Sequence, residues 1–308
     1  MHVVHGHKHV LPDYRGSAIA IGNFDGVHRG HRALIAEAEG RARETNVQSA
    51  VLLFEPHPRE FFQPDETHFR LTPLKRKIAL IEKLGIDIAF VEPFNAELAA
   101  LTAEQFIERV LVAGLGVSHV VIGYDFYFGH KRGGNPELMV RAGEELGFGV
   151  TVMPPIAEAG EPFSSSGIRL HLAQGDVKGA AHMLGAHWRV SGKVVGGAKR
   201  GTGMGYPTAN LPMPKGTTLG HGIYAVRAYI DGVPHDAAAY LGTRPTFDDG
   251  MPVLEVFLFD FNGDLYGREM EVEFIDFIRG DRKFHSVEEL VAQMDEDIAK
   301  VRTVLAKA

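Results

Sequence analysis

The amino-acid sequence predicts a two-part chain of α/β plus β class, and three observations carry that prediction. Its 308 residues are about twice the roughly 150 of a typical domain, enough for two separate cores. From Ser17 to about Gly185, short apolar runs (SAIAIG, SAVLLF, DIAFV, HVVIG, GVTVMP) alternate with segments of helical period. Such alternation specifies βαβ units and a parallel sheet covered by helices on both faces. After Trp188 the texture changes to period-two runs separated by Gly, Pro and Asp: RVSGKVVGG, GIYAVRAYIDG, HDAAAYLG, VLEVFLFDF and REMEVEFIDFI. These read as an antiparallel barrel or sandwich. The division is placed near residues 184 to 188, giving parts 1–185 and 186–308.

Each element has its own signal. Helices are expected around Leu34, around Ile78 and from Thr102 to Ala113, where apolar residues recur at helical spacing. In REMEVEF, Met270, Val272 and Phe274 alternate with Glu269, Glu271 and Glu273, as in a strand with one buried and one solvated face. Ser286, with Glu289 three residues later, opens a terminal helix through a capping box.

Composition narrows the function. With 45% hydrophobic and 23% charged residues the chain is an ordinary folded protein, not disordered, collagen-like or coiled-coil. No apolar run approaches the roughly 20 residues that span a bilayer, so no membrane segment is expected. The start, MHVVHGHKHV, lacks the apolar core of a signal peptide. It reads as a flexible polar end in which His2, His5, His7 and His9 serve no site. Zero cysteines exclude disulfides, thiolate zinc sites and thiol nucleophiles, and suit a reducing cytoplasm. The net charge is −7, and both sides of residue 185 are acidic, with 18 Lys+Arg against 22 Asp+Glu and then 14 against 17. Neither part carries a nucleic-acid footprint. A chain of this size is compatible with a homo-oligomer.

In a parallel sheet ligands bind beyond the carboxyl ends of the strands, so loops after strands are the places to search. GNFDGVHRGH (Gly22 to His31) follows the strand SAIAI and opens a helix, where backbone N–H groups favour phosphate. His28 and His31 lie three apart and share a face of the first turn, and Gly30 between them permits close approach. Two imidazoles aimed at one phosphate suit nucleotidyl transfer, in which placed donors stabilise the developing charge. The other reading is a solvated helix start; a zinc site lacks a third ligand. FEPHP (Phe54 to Pro58) holds His57 between two prolines on another strand-end loop. SSSGIR puts Ser164, Ser165 and Arg169 at a helix start; ordinary capping explains the serines but not Arg169. GYDFYFG offers Asp125, Phe126 and Phe128, suited to a flat heteroaromatic ligand or to packing within the loop itself.

In the second part, GGAKRGTGMGYPTAN (Gly196 to Asn210) is dense in glycine and fits neither the Walker loop nor GxGxxG. Pro207 stiffens its exit to Thr208 and Asn210, whose oxygens suit Mg²⁺ or phosphate. Glu255 is the lone carboxylate in the strand VLEVFLF. Burial beside Val253, Phe257 and Phe259 would make it a better proton acceptor, whereas a sheet-edge position would leave it idle.

Together GNFDGVHRGH, FEPHP, LTPLKRK, GYDFYFG, SSSGIR, RGTGMGYPTANL, GTRPTF, LEVFLFDFNGDLYG and RKF resemble the bacterial bifunctional riboflavin kinase/FAD synthetase family over almost the whole chain. The resemblance implies a Rossmann-like adenylyltransferase over residues 1–185. Residues 186–308 would form a six-stranded antiparallel β-barrel kinase with a terminal helix. ATP and riboflavin would give FMN, and ATP and FMN would then give FAD and pyrophosphate, with Mg²⁺ as cofactor. It implies catalytic roles for His28, His31, Arg169 and Glu255. Gly22, Asn23, Phe24, Gly30, Ser164, Ser165, Gly201, Gly205, Thr208 and Asn210 would bind nucleotide, the last two also holding the metal. His57, Asp125, Phe126 and Phe128 would bind flavin. Ser166, Lys199, Gly203, Tyr240 and Phe257 depart from the family's usual residues.

Overall fold

A computed structural model describes residues 1–196, 206–214, 216–243 and 252–308. The chain divides into two compact units, Met1–Ser165 and Ser166–Ala308.

The first unit is built on six parallel strands: β1 (His2–His5), β2 (Ala18–Ile21), β3 (Ser49–Glu55), β4 (Ile88–Pro93), β5 (His119–Gly123) and β6 (Gly149–Met153). Their order is β1-β4-β3-β2-β5-β6, so the direction of winding reverses beside β2, the place where such sheets bind ligands. Both faces are covered. Ile19, Ile21, Leu52, Ile88 and Phe90 pack on one side with Phe106, Leu111 and Leu115. Their neighbours Ala20, Val51, Leu53, Ala89 and Val91 pack on the other with Leu34, Ile35 and Ile81. This is the period-two alternation of strands buried on both faces. The helices doing the covering include α1 (Arg29–Thr45), α3 (Leu74–Glu82) and α5 (Ala103–Gln105), which runs into a π-helical stretch, Phe106–Leu115. Between them stand the short α2 (Pro58–Phe62) and α4 (Ala96–Ala100). Asn135 caps α6 (Pro136–Leu146) by accepting from the Leu138 N–H.

One expectation fails here. The histidine-rich start is not a flexible end: His2–His5 pair with Ile88–Val91 as β1, and His7 Nδ1 lies 2.7 Å from Glu92. Val4 packs on the core, and the sheet edge supplies the partner strand.

A two-stranded hairpin, β7 (Ala157–Glu158) with β8 (Glu161–Pro162), precedes α7 (Ser165–Ala173) and α8 (Val177–Leu184). In the second unit, six antiparallel strands run in the order β10-β13-β12-β11-β14-β9. They are β9 (Arg189–Lys193), β10 (Ala209–Pro212), β11 (Gly222–Ile230), β12 (Val233–Thr243), β13 (Pro252–Leu258) and β14 (Glu269–Arg279). Val195 bridges to Asn210, its N–H donating to the Asn210 carbonyl at 2.9 Å, which brings the chain after β9 against β10 and nearly closes the barrel. The terminal helix α9 (Val287–Leu305) packs Val301 and Leu305 on Ala225, Phe259 and Ile275. Ser286 caps it as expected, while the Glu289 carboxylate reaches back to the His285 N–H.

A second expectation needs correcting. Glu269, Glu271 and Glu273 do not form a merely solvated face: Glu273 is buried and accepts from Arg189 Nε at 2.8 Å and Tyr229 Oη at 2.9 Å. Arg189 also reaches Glu271 at 2.5 Å. Arg189 and Glu273 are register partners on β9 and β14, and this cross-strand cation makes burial of the carboxylate tolerable.

Candidate active sites

The loop after β2 is held in an unusual backbone. Phe24 and Val27 adopt positive φ angles of 49° and 46°, and Gly26 one of 90°. For a β-branched valine this conformation is costly, of order 1–3 kcal/mol, and it persists only where surroundings enforce it. Four hydrogen bonds do so. The buried Asp25 carboxylate accepts from the N–H groups of Leu71 (3.2 Å) and Thr72 (3.0 Å). The Asp25 carbonyl accepts from Ser165 Oγ at 2.8 Å. Lys77, buried on α3, donates from Nζ to the Asn23 carbonyl at 2.7 Å.

This loop delivers His28 as the N-cap of α1, with its Nδ1 accepting from the His31 N–H at 3.3 Å. A neutral imidazole that accepts at Nδ1 carries its proton on Nε2, so His28 presents an N–H donor. The two histidine rings stack with centroids 3.6 Å apart and 20° between planes, and Phe24 abuts His31 edge-on. Burial lowers the His28 pKa to about 4, opposed by the charge of Asp25. Burial, then His28 and Lys77, hold His31 well below its usual range. Both rings are therefore neutral at pH 7. The His31 Nδ1 and Asn23 Oδ1 atoms are shut off from solvent with no hydrogen-bond partner among the described residues, a condition that a polar ligand would relieve. A Cβ at Gly30 would stand 3.2 Å from the His28 ring and 3.3 Å from the Phe163 carbonyl, which explains the glycine.

His57 caps α2, accepting from the Arg59 N–H at 3.1 Å, and its ring lies 4.5 Å from that of His68. Burial, then His68, lower its pKa to about 4. Arg70 fastens this segment by donating to Glu55 at 2.8 Å and to Glu60 at 2.5 Å. Phe126 and Phe128 stack at 5.3 Å, and Phe128 meets Phe106, which meets Phe54, which meets Phe94. Phe94 in turn touches Phe61 and Phe62, the latter exposed. The loop aromatics thus join a continuous aromatic row that reaches α2, while Asp125 is exposed.

Arg169 lies on α7 in the second unit and is half-buried. In the barrel, Asn210 on β10 is the register partner of Glu255 on β13, and Glu255 is in turn the partner of Tyr240 on β12. Directly opposed antiparallel residues share a face, so the three side chains stand in one row. Glu255 is half-buried, Asn210 buried and Thr208 half-buried just before β10. The sheet-edge expectation for Glu255 fails, because β13 lies between β10 and β12; its row partners are one amide, Asn210, and one aromatic hydroxyl, Tyr240. The Tyr240 pKa is raised, first by burial and then by Asp281, with Glu255 contributing. Tyr206 donates to Asp295 at 2.6 Å and meets Phe257 edge-on. Gly201 and Gly205, with Lys199, Gly203 and the RPTF end of GTRPTF, lie outside the described residues.

Sequence reasoning missed Asp25, Lys77, Phe94 and the register of Tyr240 with Glu255. Lys77 alone left a trace, a lysine on the helix face that also buries Ile81.

Comparison with known proteins decides the family. An FAD synthetase model matches residues 10–167, and a riboflavin kinase model matches residues 184–305. The bifunctional riboflavin kinase/FMN adenylyltransferase of Pseudomonas fluorescens is 40% identical over 99% of this chain and 98% of its own. The chain belongs to the bifunctional riboflavin kinase/FMN adenylyltransferase family. Members from Escherichia coli (strain K12) and Bacillus subtilis (strain 168) are 40% and 36% identical, covering 92% and 96% of this chain and 90% and 95% of theirs. A crystal structure described as a macrolide-efflux protein from Streptococcus pneumoniae has a TM-score of 0.85 at 28% identity, covering 98% of this chain and 99% of that one. It shares the fold of this family member.

Proposed function

We infer that the chain makes FAD in two steps, phosphorylating riboflavin with ATP and then joining AMP from a second ATP to the FMN, with release of pyrophosphate. Membership of the family over nearly the full length of both chains supports this. The observation that carries the site assignment is the loop at β2, with stacked neutral histidines and two buried, unpartnered polar atoms at a helix start. In the second step a phosphate oxygen of FMN attacks the α-phosphorus of ATP and the bond to pyrophosphate breaks. His28, as an Nε2–H donor, and His31 hold the α-phosphate as charge gathers on its oxygens. Asn23, Phe24, Ser164 and Ser165 seat the nucleotide, and Arg169 neutralises its charge. His57, Asp125, Phe126 and Phe128 take the flavin, an assignment supported by the aromatic row.

In the first step Glu255 accepts the proton of the 5′-hydroxyl of riboflavin as its oxygen takes the γ-phosphoryl group. Asn210 and Thr208 offer hard oxygen donors beside that carboxylate, a set that fits Mg²⁺. The described residues contain no cluster of three or more His, Asp or Glu arranged for a metal, and an ion carried by nucleotide phosphates needs none. When bound, Mg²⁺ would neutralise phosphate charge during transfer. We assign the adenylyltransferase to residues 1–185 and the kinase to 186–308. The start of the kinase match at residue 184 supports that division, whereas α7 and α8 fall in the compact unit of the barrel. The absence of cysteine supports a reducing cytoplasm, and none of the described helices is long and apolar enough to cross a membrane.

The test is to incubate the purified chain with riboflavin, ATP and Mg²⁺, then with FMN, ATP and Mg²⁺, and to separate the flavins by chromatography. FMN followed by FAD is expected. FAD only from supplied FMN would remove the kinase half, and no product from either mixture would overturn both.

A further inference from the structure

Lys77 is 3% exposed on α3, and its one hydrogen bond among the described residues is to the Asn23 carbonyl, at 2.7 Å. It makes no ion pair among the described residues, and burial lowers its pKa, opposed by the charges of Asp25, Glu55 and Glu60. Burying an ammonium for a single carbonyl is costly, so the contact calls for a purpose beyond packing. The peptide group is planar and trans, so the C=O and N–H of the bond between Asn23 and Phe24 point in opposite directions. With the carbonyl held on Lys77, the Phe24 N–H is turned away from α3. That N–H has no hydrogen-bond partner among the described residues. Phe24 sits at φ 49°, a conformation that the Lys77 contact helps to hold. On the Asn23 side chain, Oδ1 is buried and has no partner among the described residues, and the neighbouring His31 and His28 rings carry no charge at neutral pH.

We propose that Lys77 is a positioning residue for adenylyl transfer: it holds the Asn23 carbonyl so that the Phe24 N–H faces the triphosphate of ATP, setting affinity for polyphosphate and not for flavin. This rests on reading the GNFDGVHRGH loop as the phosphate site. A charge-assisted bond to a carbonyl, rather than a contact to substrate, is the whole of the lysine's action.

The full-length chain with Lys77→Met or Lys77→Arg tests this by steady-state FAD formation, pyrophosphate inhibition and thermal melting. Lys77→Met is expected to raise the KM for ATP and the inhibition constant of pyrophosphate together by roughly tenfold, the scale of one hydrogen bond of ~1.4 kcal/mol. The KM for FMN should stay within about twofold, and Lys77→Arg should restore most of the loss, because a guanidinium also donates to a carbonyl. Unchanged ATP and pyrophosphate constants in Lys77→Met would overturn the proposal. So would an equal loss toward both substrates that Lys77→Arg fails to repair, since a packing role predicts that. Should Lys77→Met not fold, Lys77→Gln keeps an N–H donor without the charge, and the same two constants are read from it. The underlying site reading fails on a different result, a wild-type rate of FAD formation in His28→Ala. Calorimetric titration of pyrophosphate into wild type and Lys77→Met then still tests the loop.

Discussion

Asn210 on β10 stands directly opposite Glu255 on β13, as register partners on one face of the barrel. The pairing puts an amide that is almost wholly buried beside a half-buried carboxylate, and brings the two signals of the kinase half, 45 residues apart in the chain, into contact range.

Glu255→Gln is expected to abolish FMN formation from riboflavin, because the amide cannot accept the hydroxyl proton. Conversion of supplied FMN to FAD should continue at the wild-type rate. Kinase activity at the wild-type level in this variant would remove Glu255 as the base.

His28→Ala should lower FAD formation by roughly 100-fold or more, the loss typical of removing one donor from a developing oxyanion. FMN formation from riboflavin should be untouched. Equal losses in the two assays would point to a folding defect instead, and a melting curve separates the cases.

Gly30→Ala is the steric counterpart. The new methyl would stand 3.2 Å from the His28 ring and 3.3 Å from the Phe163 carbonyl, so the ring must shift by a few tenths of an ångström. Misplacing a phosphate donor by that much is expected to cost roughly tenfold in FAD formation, with ATP affinity read from the KM. An unimpaired Gly30→Ala enzyme would mean that the His28 ring has room to spare.

Stability should fall as the solution is acidified from pH 6.5 toward 4. His28 titrates near 4 in the folded chain, because burial opposes its charge, and His57 does likewise; both titrate near 6.5 once unfolded. Within that window the unfolded chain binds protons that the folded chain refuses, so stability, the free energy of unfolding, rises with pH. For His28, buried as it is, the slope approaches about 1.4 kcal/mol per pH unit. Melting temperatures measured from pH 7.5 to 4.5 should show the decline, and His28→Gln should make it shallower. A parallel decline in that variant would assign the effect to other groups.

Arg189→Leu should destabilise the barrel by about 3 kcal/mol, the lower range for leaving a buried carboxylate without its cation. Replacing Glu273 with leucine as well should recover much of that loss, because the unpaired charge is gone. Denaturant midpoints of the single and double variants give the comparison.

The parallel strands β2 to β6 were legible because each is a mainly apolar run, and the antiparallel ones because alternation in β14 and glycine or proline punctuation mark them. That His28 and His31 share a face across Gly30 was legible from their spacing of three at a helix start after a strand. What no local pattern carries is distance along the chain. The Asp25 carboxylate meets Leu71 and Thr72, and Lys77 meets Asn23, across intervals of 46 to 54 residues. The same holds for Arg189, whose pairing with Glu273 turned an evenly alternating acidic strand into a partly buried one. The first histidines misled for a related reason: β1 is only four residues, two valines between two histidines, and its partner strand β4 lies more than 80 residues along the chain.

Asp25 ties its loop to residues 71 and 72 through the side chain and to residue 165 through the backbone. The loop therefore cannot be completed from nearby chain. As the protein leaves the ribosome, the five strands β1 to β5 are available once residue 123 has emerged. The final clasp on the histidine loop awaits a serine made 140 residues after the aspartate it binds. A nascent chain stalled before Ser165 would carry most of a sheet and an unfastened site, so nucleotide binding should appear late in synthesis, after most of the first core has formed.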